Sequence, residues 1–158
     1  MRHPYRKIKM GYILHAFIGR KTDLQVVANR FPNATIVDVG QGMFIIPMTE
    51  TLYDDINKLK VSPGFDNLTY MTKNVEDIIL ETIDGRQLAY IEAEYLGGQG
   101  GQSAILWQEG RRFKLFEFGQ GVINTILRHF GIRAKPSFDE FDTIGLGRHR
   151  NTEEWLVM

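Results

Sequence analysis

The stretch that decides the fold runs from Gly11-Tyr12-Ile13-Leu14-His15-Ala16-Phe17-Ile18, through Thr22-Asp23-Leu24-Gln25, to Met43-Phe44-Ile45-Ile46-Pro47-Met48. Residues 11–18 are apolar and β-rich, which predicts a buried strand. Thr22 and Gln25 have the spacing of a capping box. Leu24, Val27, Ala28 and Phe31 follow at i, i+3, i+4 and i+7, which predicts a helix with one apolar face. Pro32-Asn33 ends that helix. Residues 35–39 and 43–48 read as strands joined by a hairpin at Gly40-Gln41-Gly42. Residues 50–59 predict a second helix with Leu52, Ile56 and Leu59 inward. After the Ser62-Pro63-Gly64 loop, residues 68–71 read as a short fourth strand. This β-α-β-β-α-β order is the split pattern of ferredoxin-like folds, with two helices covering one face of an antiparallel sheet.

Working outward, residues 1–9 read as a flexible basic arm carrying Arg2, Arg6, Lys7 and Lys9, with Met10 as an alternative start. Residues 10–73 form the split-βαβ lobe. Residues 74–158 form a second lobe that packs with the first as one unit. There Asn74 can cap a helix with Val75, Ile78, Ile79 and Ile83 inward. Residues 88–95, 103–108 and 112–118 then predict an antiparallel β-meander. A helix follows Gly119-Gln120-Gly121, with Val122, Ile123, Ile126, Leu127 and Phe130 apolar and Gly131 at its end. Ser137 to Glu140 and Asn151 to Glu154 both have capping-box spacing, which predicts C-terminal helices. The expected class is therefore α+β.

Composition narrows the function. The 158 residues contain no cysteine, which excludes a disulfide scaffold, a Cys-ligated zinc site and a thiol nucleophile. Lys+Arg and Asp+Glu both number 19, so the net charge of +0 argues against a nucleic-acid coat. No apolar run approaches membrane-spanning length, and no cleavage site follows the basic arm, which predicts a cytoplasmic protein. The charge is nevertheless uneven. Glu50, Asp54, Asp55, Asp66, Glu76, Asp77, Glu81 and Asp84 make the middle acidic. Arg111, Arg112, Lys114, Arg128, Arg133 and Lys135 make a later segment basic.

Several residue groups are candidates for chemistry. Gly97, Gly98, Gly100 and Gly101 lie within residues 97–101, where backbone N–H groups can approach a ligand. The loop lacks both P-loop and dinucleotide spacing, and a glycine-rich hairpin explains it equally. Glu92 and Glu94 lie two apart on one strand, so they share a face and can divide acid/base work or pair with arginines across the sheet. Arg148 and His149, beside Asp139, Glu140 and Asp142, can clamp an anion or lock the C-terminal segment. No histidine spacing supports a metal site, and no cofactor is implied. His15 reads as a hydrogen-bonded core residue. The aromatics Tyr70, Tyr90, Tyr95, Trp107, Phe113, Phe116 and Phe118 read as core, since an RNA-stacking pattern is missing.

The run Glu94 to Trp107 and the run Asp139-Glu140-Phe141-Asp142-Thr143-Ile144-Gly145-Leu146-Gly147-Arg148 resemble small bacterial immunity proteins of polymorphic or contact-dependent growth-inhibition toxin systems. The resemblance covers roughly residues 86–158 and brings no catalytic motif. It implies a non-enzymatic cytoplasmic protein that binds a cognate toxin C-terminal domain, expected to be a nuclease domain, and occludes its active site, with no direct contact to nucleic acid or membrane. The toxin-facing candidates are Asp54, Asp55, Glu76, Asp77 and Glu81 on an acidic face, with Tyr95 and Gln99 as loop contacts. The alternative is a small nucleotide- or ligand-binding enzyme or regulator, with Glu92, Glu94, Gly98, Gly100, Arg148 and His149 as its site.

Overall fold

Strand Leu88–Leu96 buries six consecutive residues, Leu88 to Ala93, so both of its faces are covered by protein. A computed structural model describes residues 11–157; the expected basic arm and the Met10 start lie outside them. Strands β1 (Tyr12–Gly19), β2 (Val37–Gly40), β3 (Met43–Pro47), β6 (Leu88–Leu96), β7 (Gln99–Gln108) and β8 (Arg111–Gly119) form one antiparallel sheet in the order β2-β3-β1-β6-β7-β8. Strands β4 (Gly64–Phe65) and β5 (Leu68–Thr72) form a separate two-stranded hairpin. The helices are α1 (Lys21–Arg30), α2 (Glu50–Asn57), α3 (Lys73–Ile83), α4 (Val122–His129) and α5 (Glu140–Thr143). Short 3₁₀ turns at Leu146–Arg148 and Thr152–Leu156 close the described chain.

The α+β class and the antiparallel sheet are as expected, but the arrangement differs in two ways. The strand expected at residues 68–71 is not in the main sheet; β6 occupies the place beside β1. The sheet is also covered on both faces. One face carries Phe17, Tyr90, Ile105 and Trp107 under α1, α2, α3 and the hairpin. The other carries Ala16, Ala89, Ala93 and Ala104, whose small side chains give room to α4, Ile144, Leu146 and Trp155. Because β1 pairs along its length with β6, the two halves of the chain share one sheet.

Local chemistry moves several boundaries. Helix α1 starts at Lys21 without a side-chain cap, so the Thr22–Gln25 box is not made. Thr49 and Thr72 cap α2 and α3, in place of Asn74. Lys58 and Leu59 then turn left-handed, which ends α2 early and leaves Leu59 exposed instead of inward. The Asn151–Glu154 capping box is formed in full. It sits beside β1, where Ile13 N donates to Arg150 O at 2.7 Å and His15 N to Thr152 Oγ1 at 3.0 Å. The glycine-rich segment is not an open loop. Leu96 pairs with Gln99, so Gly97-Gly98 alone make a two-residue turn and Gly100 and Gly101 belong to β7.

Glu76 fastens α3 to the β7–β8 edge of the sheet. Its side chain is only 2% exposed and accepts from Trp107 Nε1 at 2.9 Å and from Arg112 Nε and NH2 at 2.8 and 2.7 Å. Burial pushes its pKa up, but the Arg112 and Trp107 hydrogen bonds and the charges of Arg112 and Lys73 outweigh burial, so the carboxyl titrates below its ordinary value. Such a group stabilises the fold fully above the ordinary carboxylate range, and its contribution is lost as pH falls through the depressed pKa. Glu76→Gln should cost on the order of 3 kcal/mol near neutral pH, read by urea denaturation followed by tryptophan fluorescence. The difference from wild type should shrink as pH falls below the ordinary carboxylate range. A difference that does not change with pH means the charge of Glu76 is not what stabilises α3.

Candidate functional site

Strand register assembles the site. Across β1, β6 and β7, His15 lies opposite Glu92 and Glu92 opposite Ser103; in the next row Ile13 lies opposite Glu94 and Glu94 opposite Gly101. Directly opposed residues point to the same face of a sheet, here the face under the β4–β5 hairpin. Gly101 leaves the row open beside Glu94. A Cβ placed there would lie 2.6 Å from the Phe118 ring, which stands over it from β8. The result is a cavity of about 520 Å³ between the sheet end and the hairpin, walled by Leu68, Thr69, Leu96 and Phe118 and floored by Glu92, Glu94 and Ser103.

The two carboxylates differ in state. Glu92 is 3% exposed; Oε1 accepts from Thr69 N at 2.7 Å, and Oε2 accepts from Tyr70 N at 2.9 Å and from the Tyr90 hydroxyl. Burial, and after it the charge of Glu92, pushes the Tyr90 phenol well above its ordinary pKa, so it stays a proton donor to Glu92. Glu94 is half-exposed. Its Oε2 accepts from His15 Nε2 at 3.0 Å and from Thr69 Oγ1 at 3.1 Å. The Tyr70 ring packs edge-on against His15 at 5.1 Å. Its phenol is pushed up by burial and then by Glu50, Glu153, Glu92 and Glu94, so carboxylates from three parts of the chain converge on this corner.

His15, Glu92 and Glu94 each offer a ligand-type atom within 4.8 Å of the others. Any metal here would compete with the His15–Glu94 bond and with the backbone N–H groups on Glu92. Ser103 completes the floor: it is 2% exposed, and its Oγ has no hydrogen-bond partner among the described residues.

The residues singled out from sequence divide sharply. Glu92, Glu94, Gln99 and Gly100 meet at this cavity, and Gly98 forms the adjoining turn. Gly100 has φ +152°, and a Cβ there would lie 1.9 Å from the Glu94 carbonyl oxygen, so packing accounts for that glycine. Arg148 and His149 are not brought to it. The Arg148 guanidinium lies 5.2 Å over the Trp155 ring and bonds to Val39 O, and the His149 ring lies 4.6 Å from Trp155. Tyr95 packs on the opposite face and its hydroxyl donates to Gln120. Of the acidic candidates, Glu76 is buried and is no surface contact. Asp55 accepts from Asn33, Asp77 pairs with Lys73 and Glu81 with Arg30. Asp54 is exposed on α2. His15 and Ser103 were missed as site residues. Period-2 alternation marks their faces, but the long-range β1–β6 register places His15 beside Glu92, and the exact register of the β6–β7 hairpin places Ser103 there.

No family model, curated protein or solved structure matches the chain.

Glu92→Gln should loosen the hairpin. Amide exchange at Thr69 and Tyr70 should speed up at least about tenfold, and stability should fall by about 2 kcal/mol. Unchanged protection at both amides would remove Glu92 as the anchor of the hairpin.

Proposed function

We propose that this chain is a non-enzymatic immunity protein that binds a cognate toxin domain in the cytoplasm and blocks its active cleft. The observation that carries this reading is the mouth of the cavity. There the half-exposed Glu94 lies between Leu96 and Phe118, which are 63% and 49% exposed. Exposed apolar groups around a recessed charge resemble the centre of a binding interface, where a few anchors contribute most of the affinity. The state of Glu92 favours binding over catalysis, since both of its oxygens accept structural hydrogen bonds and neither is free for proton transfer. The resemblance of residues 86–158 to immunity proteins points the same way. No helix among the described residues is long and apolar enough to cross a membrane.

The acidic surface has a supporting role. Asp54 and Asp55 on α2, which no lysine or arginine among the described residues pairs, lie on the helical layer of the sheet, where a negative field speeds the approach of a basic partner. The cavity itself favours a second reading, a regulator that binds a small ligand beside Gln99 and Gly100.

The deciding experiment is capture of partners by the tagged full chain in the cells that encode it, followed by expression of each captured domain alone and together with the chain. Toxicity of one domain alone, suppressed by the chain, supports immunity. If no captured domain is toxic, the reading is wrong; a ligand that raises the melting temperature would then favour the regulator. For a recovered toxin, the double variant Asp54→Asn, Asp55→Asn should associate about threefold more slowly at low salt, with a flatter salt dependence. Association at the wild-type rate would exclude the acidic surface from steering.

A further inference from the structure

We infer that the cavity beneath the β4–β5 hairpin is a receptor for one organic cation, a guanidinium or alkylammonium group, with Glu94 as its counter-ion. Three independent features of the site converge on this chemistry.

The first is charge. Glu92 and Glu94 both face the cavity, and among the described residues no lysine or arginine lines it. Glu92 is saturated by its three donors, whereas Glu94 Oε1 has no partner among the described residues and Glu94 is half-exposed. The second is Ser103. A nine-tenths buried hydroxyl with no partner among the described residues is costly unless something supplies a hydrogen bond, and its register opposite Glu92 turns it to the cavity side. A cation bound to Glu94 brings several N–H donors within reach of such an acceptor. The third is the wall. Phe118 and Leu96 present apolar surface at the mouth, suited to the alkyl stem of a long cationic side chain, and an aromatic face attracts the cationic head.

Size and donor state set this ligand apart from a metal ion. A cavity of about 520 Å³ lies in the range that holds organic ligands and is far larger than an ion requires. A tightly held divalent ion would need at least three protein ligands. Here the Glu92 oxygens accept from backbone N–H groups, and His15 Nε2 is already bonded to Glu94.

The cation can be a side chain of a bound protein or a free small molecule, and the chemistry is the same. The inference stands without the immunity reading, because binding is read with a free probe. The ¹⁵N-labelled full chain is titrated with N-acetyl-arginine methylamide, and in parallel with N-acetyl-citrulline methylamide, its neutral isostere. The arginine probe should give saturable shifts at the Thr69, Gly101 and Ser103 amides, and the citrulline probe should bind at least about tenfold more weakly. Glu94→Gln, whose fold is checked by the rest of its amide spectrum, should weaken the arginine probe by a similar factor. Ser103→Ala should weaken it a few-fold. Equal response to both probes, no saturable shift, or full binding by Glu94→Gln would overturn the proposal. So would zinc that shifts the same amides and abolishes the arginine response at stoichiometric concentration.

The source of the cation is read separately, in the co-expression assay. With arginine-probe binding established, loss of protection by Glu94→Gln assigns the cation to the partner protein. Retained protection assigns the cavity to a free small cation.

Discussion

The site depends on one interaction: the buried Glu92 carboxylate accepting two consecutive backbone N–H groups from the hairpin and the Tyr90 hydroxyl from its own strand. Removing a carboxylate from water costs several kcal/mol. Three hydrogen bonds to a charged acceptor, each about 1.5–3 kcal/mol, are enough to offset that. Without them Glu92 would be an uncompensated charge in the core, and β5 would lack partners for its N–H groups where it meets the sheet. The hairpin is too short to be stable alone, so the carboxylate acts as its third strand. Leu68 and Met71, buried in the same layer, add the apolar contact. Because the hairpin is fixed over one end of β6 and β7, a cavity remains between them.

That dependence explains which parts of the molecule are legible in sequence. Helices α2 and α3 are visible in the spacing of Leu52 and Ile56 and of Val75, Ile79 and Ile83, all of which are buried. The meander of β6, β7 and β8 is visible because glycine turns separate three apolar runs. The fourth strand was misassigned for a physical reason. Residues 68–71 do form a strand with buried Leu68 and Met71, but its neighbour is the short β4 and its remaining N–H groups go to a side chain. Alternation reports that one face is buried, not what covers the edge. The unbroken burial of Leu88 to Ala93 was the better signal for the strand beside β1, since it requires cover on both faces.

The site was legible in fragments. Glu92 and Glu94 stand out as a carboxylate pair, and Gln99 and Gly100 as part of an unusual glycine stretch. His15 stands out only as a polar interruption in an apolar strand, and Ser103 hardly at all. Their meeting depends on β1–β6 and β6–β7 register over separations of about 77 and 11 residues, which no local pattern encodes. Arg148 and His149 failed for the opposite reason. They look reactive as a cluster, yet Arg148 packs over Trp155 and bonds to Val39 O, and the His149 ring meets Trp155 as well. The acidic surface was overestimated because charge counting ignores pairing. Arg112 takes Glu76 into the core, and Lys73 and Arg30 neutralise Asp77 and Glu81.

Two glycines then set the form of the cavity. Gly100 must be glycine because its backbone passes too close to the Glu94 carbonyl for any Cβ. Gly101 must be small because the Phe118 ring occupies the space a side chain would take. Together they bring β7 tight against β6 while leaving the position opposite Glu94 without a side chain. The half-exposed carboxylate therefore has a neighbour of low volume, an aromatic ring beyond it and, one row below, a hydroxyl without a partner among the described residues. Sheets ordinarily fill such a position with a cross-strand partner for the charge. Here Gly101 supplies no such partner, and among the described residues only His15 and Thr69 reach Glu94, both through Oε2, which leaves Oε1 to an added cation.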